Sequence, residues 1–136
     1  PIKRQDVSAS LRGKSNISSH LRDTLQNAEK EVIICTNTKE FASKVKLFKQ
    51  TFARLNKANV KIKVGLSGDQ ETLKKLEEKL GVKIKKVNIN AKFFIVDRAE
   101  ILFYINKKSD DEDLAIWLNS PFFAEAFASM FEIALK

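Results

Sequence analysis

The segment from Asn90 to Asp97 contains three residues, Asn90, Lys92 and Asp97, whose types and spacing come nearest to a chemical site. A lysine beside a low-dielectric cleft can anchor a phosphate group through its charge. The amide of Asn90 is neither basic nor nucleophilic at neutral pH, and the only histidine, His20, lies far away in the sequence. These residue types permit an anion-binding role for Lys92 without a nucleophile, although a lysine and an aspartate five residues apart indicate little by themselves. A structural Lys92–Asp97 ion pair, or simple solvent exposure, stays open as the alternative.

Elements that could position these side chains follow from the hydrophobic pattern. Short apolar runs alternate with amphipathic segments, which predicts alternating strands and helices. The strands are predicted at 31–35, 60–64, 82–85 and 114–118, with an antiparallel hairpin formed by 93–96 and 101–105. The helices are predicted at 16–29, 37–55, 67–80 and 122–135. This order predicts an α/β fold in which a mixed sheet is flanked by helices on both faces.

A chain of 136 residues with 43% hydrophobic content fits one compact domain. Residues 1–15 are polar and are predicted to form a linker or an N-terminal strand, with the strand near 7–11. Residues 16–136 are predicted to form the domain itself.

Two pairs of residues have the spacing of a capping box, in which side chains at the start of a helix satisfy free backbone N–H groups. The pairs are Asn37 with Glu40 and Ser67 with Gln70. Each is predicted to begin a helix, and the first of these helices is predicted to be continuous.

The terminal helix is predicted to begin with Ser120 as its cap and Pro121 in its first turn. Apolar residues cover most of its circumference, which predicts a homodimer interface, although a role in the core stays open. The candidate interface residues are Phe122, Phe123, Phe127, Met130 and Phe131.

The spacing Asn90-x-Lys92-x-x-x-x-Asp97 resembles the His-x-Lys-x-x-x-x-Asp motif of the phospholipase D superfamily, with Asn90 in place of histidine. The surrounding order of strands and helices is similar too. In active members the histidine attacks phosphorus, and two motifs usually form one active site. The resemblance implies a phospholipase D-like α/β fold with no catalytic residue and no enzyme activity. A phosphodiesterase remains an alternative.

The segment 113–123, which contains the turn Asn119-Ser120-Pro121, resembles the C-terminal portion of TrmB-like archaeal transcription regulators. These proteins join an N-terminal winged helix to a phospholipase D-like effector domain. The resemblance implies a non-catalytic effector and dimerisation domain that binds a small anionic ligand at Asn90, Lys92 and Asp97. DNA would be bound through a winged-helix domain outside this chain.

A formal net charge of +8 predicts attraction for anions. Five lysines in the strand regions predict either a basic sheet face that contacts nucleic acid or a solubilised, protected sheet edge. The first possibility leaves a stand-alone nucleic-acid-binding module as a competing hypothesis. The lysines are Lys61, Lys63, Lys83, Lys85 and Lys86.

No apolar stretch approaches the roughly 20 residues of a membrane span, which predicts a cytoplasmic protein without a membrane partner. Cys35 is predicted to be a buried thiol, and Trp117 a core residue. The acidic run at 110–113 lacks the spacing and glycine of a calcium loop and is predicted to be a solvated turn. No metal and no cofactor are predicted.

Overall fold

Seven strands and five helices make up the computed structural model, which describes residues 7–105 and 113–135. The strands are β1 (Ser8–Arg12), β2 (Glu31–Asn37), β3 (Lys61–Ser67), β4 (Ile84–Lys86), β5 (Phe93–Val96), β6 (Glu100–Tyr104) and β7 (Leu114–Asn119). The helices are α1 (Lys14–Gln26), α2 (Thr38–Ser43), α3 (Val45–Lys57), α4 (Gln70–Leu80) and α5 (Pro121–Ala134).

The strands form one mixed sheet in the order β1-β7-β6-β5-β2-β3-β4. Strands β2, β3 and β4 run parallel to one another, whereas β5 is antiparallel to β2 and continues into antiparallel β6, β7 and β1. Strand β2 lies in the interior of the sheet, and its five central residues are all buried, as expected for an apolar strand covered on both faces. The predicted hairpin and the predicted strand near 7–11 are both observed.

Helices α1 to α4 cover one face of the sheet, and α5 alone covers the other among the described residues. Three phenylalanines of the first face pack together, with ring centres 4.6 to 6.4 Å apart: Phe41, Phe48 and Phe52. On the second face, a Cβ atom at Gly65 would lie 2.7 Å from the ring of Phe131, so only glycine lets α5 approach the sheet this closely. The predicted α/β architecture with helices on both faces is confirmed.

The first predicted capping pair is observed in part. The Asn37 side chain accepts a hydrogen bond from the Glu40 N–H at 2.7 Å and so caps α2. The Glu40 side chain, however, bonds to lysines. The prediction of one continuous helix is wrong, because the chain leaves helical geometry at Lys44 (φ −115°, ψ 19°) between α2 and α3.

The second predicted capping pair is wrong. Helix α4 begins after Asp69, whose carboxylate accepts from the Thr72 N–H at 3.1 Å, while Ser67 still belongs to β3. The glycine between them, Gly68, has φ of +142°, a conformation that L-residues rarely adopt. The helix cap therefore lies two residues later than Ser67, a shift that a spacing rule cannot anticipate.

Three further predictions concern single residues or short runs. Cys35 is buried, as predicted, and burial raises the pKa of its thiol to about 12. Trp117 is a core residue, as predicted, and its indole N–H donates to Glu100. The solvated turn at 110–113 is wrong at Asp113, which is 1% exposed, and residues 110–112 lie outside the described part of the chain. No helix of the described residues is long and apolar enough to cross a membrane.

Candidate functional site

A cavity of about 240 Å³ opens at the edge of the sheet where β2 and β3 end and β5 begins. Ligand sites in open α/β sheets commonly lie at the carboxyl ends of parallel strands. Loop residues before β5 and the end of β6 complete the wall. The lining residues are Asn37, Ser67, Ile89, Asn90, Ala91, Lys92, Tyr104 and Ile105.

Lys92 is held in the wall of this cavity by two neighbours. Its ammonium group lies 3.4 Å from a carboxylate oxygen of Glu40 and 4.9 Å from the centre of the Tyr104 ring. Only 13% of the Lys92 side chain is exposed, so the cation is largely removed from solvent. Such partial desolvation strengthens its attraction for any anion that enters the cavity.

Glu40 is shared between Lys92 and a second buried lysine, Lys44, whose ammonium group lies 2.8 Å from the other carboxylate oxygen. Burial alone would raise the pKa of Glu40, but the hydrogen bonds and charges of Lys44 and Lys92 outweigh it and hold that pKa below its usual value. One carboxylate therefore pairs with two ammonium groups, and Lys92 is the only charged residue that lines the cavity among the described residues.

Tyr104 adds an aromatic wall to this cluster. Burial, together with the nearby Glu40 and Asp113 carboxylates, raises the pKa of its phenol, so the hydroxyl remains neutral. A neutral phenol is a hydrogen-bond donor, and the face of its ring favours the adjacent Lys92 cation. The arrangement can hold a small anion, but the lining supplies no imidazole or thiol nucleophile.

The three residues of the predicted site do not come together. Asn90 and Lys92 line the cavity, whereas Asp97 lies beyond the opposite end of β5. Five residues of extended chain span about 16 Å. The Asp97 carboxylate accepts hydrogen bonds from the backbone N–H groups of Glu29, Lys30 and Glu31. The ion partner of Lys92 is Glu40, so the alternative of a Lys92–Asp97 ion pair is also wrong.

A second ionic cluster fastens α5 to the hairpin at that far end. The Arg98 guanidinium donates to Glu31, Glu125 and Glu132, and Lys63 lies 2.8 Å from Glu31 and 3.2 Å from Glu132. Hydrogen bonds from Arg98 and Lys63 hold the pKa of Glu132 below its usual value. This cluster combines helix and hairpin residues in ion pairs, which indicates a role in holding the two elements together.

The five aromatic and methionine residues proposed for a dimer interface occupy two kinds of position. Phe123, Phe127 and the fully buried Phe131 pack against the sheet, where Phe93 and Phe103 contact them. The other two point outward: Phe122 is 87% exposed and Met130 is 55% exposed.

The strand lysines do not form the single basic face considered from the sequence. Lys85 and Lys86 are successive residues of β4, so their side chains project from opposite faces of the sheet. Lys63 is engaged by Glu31 and Glu132. Lys61 and Lys83 are exposed. Within the described residues, no group of three His, Cys, Asp or Glu side chains is placed to hold a metal ion.

Sequence reasoning missed Asn37, Ser67, Glu40 and Tyr104 as residues of the site. A signal existed for Asn37 and Ser67, because polar residues that end neighbouring parallel strands converge at one sheet edge. Glu40 and Lys44 have the i, i+4 spacing of an ion pair, which was a weaker signal. No local pattern pointed to Tyr104.

Comparison with known proteins gives one family. The family model described as transcriptional regulator TrmB, EBD N-terminal subdomain, matches residues 9–134. No curated protein matches the chain.

Solved structures with the same fold include three of particular interest. TrmBL2, an archaeal chromatin protein reported to show a novel mode of DNA binding, superposes with a TM-score of 0.70 and 14% identity, covering 96% of this chain and 52% of TrmBL2. Nuc, a phospholipase D family member from Salmonella typhimurium, has a TM-score of 0.68 and 13% identity, covering 93% and 92% of the two chains. NucT from Helicobacter pylori has a TM-score of 0.67 and 10% identity, covering 94% of each chain. The fold is therefore phospholipase D-like, and this chain spans about half the length of TrmBL2.

Proposed function

Because the chain belongs to the TrmB family of transcriptional regulators, matching their EBD N-terminal subdomain, we propose that it is a non-catalytic domain that binds a small anion and contributes to dimerisation. The observation that carries the proposal is the cavity at Lys92, where a largely buried cation is the only charged residue of the lining and no imidazole or thiol nucleophile is present among the described residues. Signalling to DNA would require the anion to bind one conformation of the regulator better than another. DNA recognition itself would use a winged-helix domain.

Lys92→Met is expected to weaken the binding of inorganic phosphate by about tenfold to a hundredfold, because a hydrogen bond to a charged group contributes about 1.5–3 kcal/mol. Titration of phosphate against the melting temperature measures this loss. Lys74→Gln is the matched control, since Lys74 is exposed on α4 and lies outside the cavity lining. Equal phosphate affinity in wild type and Lys92→Met would contradict the assignment of the site.

The absence of catalysis is tested with bis(p-nitrophenyl) phosphate, a general phosphodiester substrate. Release of p-nitrophenol is expected to stay at the level of the uncatalysed reaction, since the amide nitrogen of Asn90 is neither basic nor nucleophilic and cannot attack phosphorus. Turnover that disappears in Lys92→Ala would establish a phosphodiesterase instead.

The outward face of α5 supports the dimerisation part of the proposal. Phe122, Ala126, Ser129 and Ile133 follow the 4-3-4 spacing of a helix-pairing seam, and all four are exposed. Phe122 is 87% exposed and Ile133 is 71% exposed, whereas the two central residues are small enough for close helix approach. Phe122 also borders an open depression of about 560 Å³, lined by Ala126 and Ser129 among others, into which Phe122 of a second copy would fit. A self-complementary patch of this kind suits a two-fold homodimer.

Replacing Phe122 and Ile133 together by serine is expected to convert the dimer to a monomer in sedimentation equilibrium. The two substitutions remove most of the apolar surface that the seam would bury when two copies associate. Val7→Ser is the control, because Val7 is 64% exposed at the sheet edge and the substitution keeps its backbone carbonyl, which accepts a hydrogen bond from the Asn119 N–H. A wild-type chain that remains monomeric at high concentration would contradict this arrangement.

A further inference from the structure

Helix α3 presents an exposed basic face that no part of the proposed function uses. From residue 41 to residue 68 the sequence contains no aspartate or glutamate. Helix α3 lies inside this stretch and buries Leu47, Phe48, Thr51, Phe52 and Leu55 against the sheet. Its opposite face is formed by Lys46, Lys49, Gln50, Ala53, Arg54 and Lys57, all of them exposed.

Helix stability accounts for only part of the charge on this face, because Arg54 and Lys57 lie in the last turn, where a cation is favourable, whereas Lys46 and Lys49 do not. Among the described residues, none of the four cations of α3 forms an ion pair, whereas Lys75 on neighbouring α4 lies 3.9 Å from Glu71. Lys46 and Lys49 repel each other at i, i+3 spacing, and so do Arg54 and Lys57. The first turn of α3 contains no acidic residue, so Lys46 lies unopposed near the positive end of the helix dipole. A surface that serves only solubility would gain from interspersed acids, as in α4.

We infer that the outer face of α3, defined by Lys46, Lys49, Arg54 and Lys57, binds the phosphate backbone of double-stranded DNA. The four cations extend over about 16 Å of helix axis, so one α3 can meet several phosphates. The choice of DNA among polyanions rests on the proposed role in a transcription regulator, but the basic face does not. In that role, this domain adds its own sequence-independent contact to DNA.

Two other partners fit the face less well. A membrane-bound helix inserts an apolar face into the lipid, but the apolar face of α3 is buried in the core. A protein interface of stable affinity needs apolar or aromatic anchors at its centre. The exposed face of α3 offers only Ala53 for that purpose. A polyanion requires nothing beyond the cations themselves.

The test replaces the four cations by glutamine in the 136-residue chain and measures binding to a labelled DNA duplex by anisotropy between about 50 and 200 mM salt. Wild type is expected to bind with a log–log salt slope of about −3.6, from four phosphate contacts at about 0.9 each. The variant is expected to lose that dependence and to bind at least about tenfold more weakly at the lowest salt. Lys74, Lys75, Lys79 and Lys83, replaced together by glutamine, form a control with the same change of net charge and are expected to keep the wild-type slope.

Three results would overturn the inference: no DNA binding by wild type at about 50 mM salt, equal binding by wild type and the α3 variant, or equal weakening in the control. Binding to vesicles of phosphatidylserine and phosphatidylcholine without binding to DNA would also overturn it, in favour of a lipid surface. None of the four residues lines the Lys92 cavity, so phosphate binding there is scored separately. A failure of the α3 surface and a failure of the anion site can therefore be told apart.

Discussion

Glu40→Gln is expected to lower the free energy of unfolding by about 3–5 kcal/mol, the usual cost of removing one partner from a buried ionic cluster. Glu40 is 6% exposed, and its carboxylate is the only acidic partner that Lys44 and Lys92 have among the described residues. Glutamine keeps the size of the side chain but not its charge, so two largely desolvated ammonium groups would face each other. Chemical denaturation at neutral pH measures the loss.

The contribution of Glu40 depends on pH in a predictable direction. Its pKa in the folded protein lies below the ordinary value of 4.5, so as the pH falls the unfolded chain takes up the proton first. The stabilisation is fully present above pH 4.5 and is lost as the pH falls below it, towards the folded-state pKa. The difference in stability between wild type and Glu40→Gln is therefore expected to shrink as the pH is lowered through this range.

The same substitution, Glu40→Gln, also tests the anion site, independently of its effect on the free energy of unfolding. Without the Glu40 charge, the two lysines lose the carboxylate that pairs with both of them, so inorganic phosphate should bind and stabilise Glu40→Gln more than it does wild type. Glu71→Gln is the control, since its pair with Lys75 is exposed and long. Because Glu71 lies in the first turn of α4, the stability of Glu71→Gln should fall by no more than about 1 kcal/mol, and its phosphate response should not change. A Glu40→Gln variant that is destabilised but indifferent to phosphate would mean that this cluster is purely structural.

Much of the architecture follows from local patterns. The alternation of apolar runs and helical stripes predicted the strands and the hairpin. This worked because the side chains that a strand buries are apolar residues that are neighbours in the sequence. The start of α5 was predicted from Ser120 and Pro121, and the Ser120 side chain indeed accepts from the Phe123 N–H. Where local geometry departs from the rule, as at Lys44 and Gly68, the spacing patterns predicted the wrong helix boundaries.

The candidate site was only half predictable for a different reason. Asn90 and Lys92 lie in the cavity, but their charge environment depends on Glu40, which is separated from Lys92 by 52 residues in sequence. No spacing rule reports a contact over that separation. The misplacement of Asp97 was avoidable, since the predicted strand between Lys92 and Asp97 holds the two residues about 16 Å apart.

Asp97→Ala is expected to destabilise the domain by about 3 kcal/mol while leaving phosphate binding intact. The Asp97 carboxylate accepts backbone hydrogen bonds of 3.0, 2.7 and 3.0 Å from Glu29, Lys30 and Glu31. It thereby joins the hairpin turn to the start of β2. Hydrogen bonds to a charged group each contribute about 1.5–3 kcal/mol, but the exposed N–H groups can bind water once the carboxylate is gone, so the total is less than the sum.

A second variant separates this anchoring from backbone strain in the turn. Asp97 and Arg98 have φ of +55° and +52°, the left-handed region in which alanine is costly and glycine is not. Asp97→Gly should therefore be about 1 kcal/mol more stable than Asp97→Ala, although it loses the same hydrogen bonds. Asp97→Asn keeps one acceptor oxygen and should be the least affected of the three in urea denaturation.

Phosphate titration of these variants decides whether Asp97 belongs to the turn or to the ligand site. About 16 Å of strand separates it from Lys92, so folded Asp97→Ala should bind phosphate as wild type does, while Lys92→Met should not. Asp23→Ala, an exposed aspartate on α1, serves as the control for loss of one negative charge. If Asp97→Ala stays folded but loses phosphate binding as Lys92→Met does, the motif acts as one site and its division between the two ends of β5 is wrong. If only stability changes, the aspartate positions the hairpin and anion binding belongs to the cavity at Lys92.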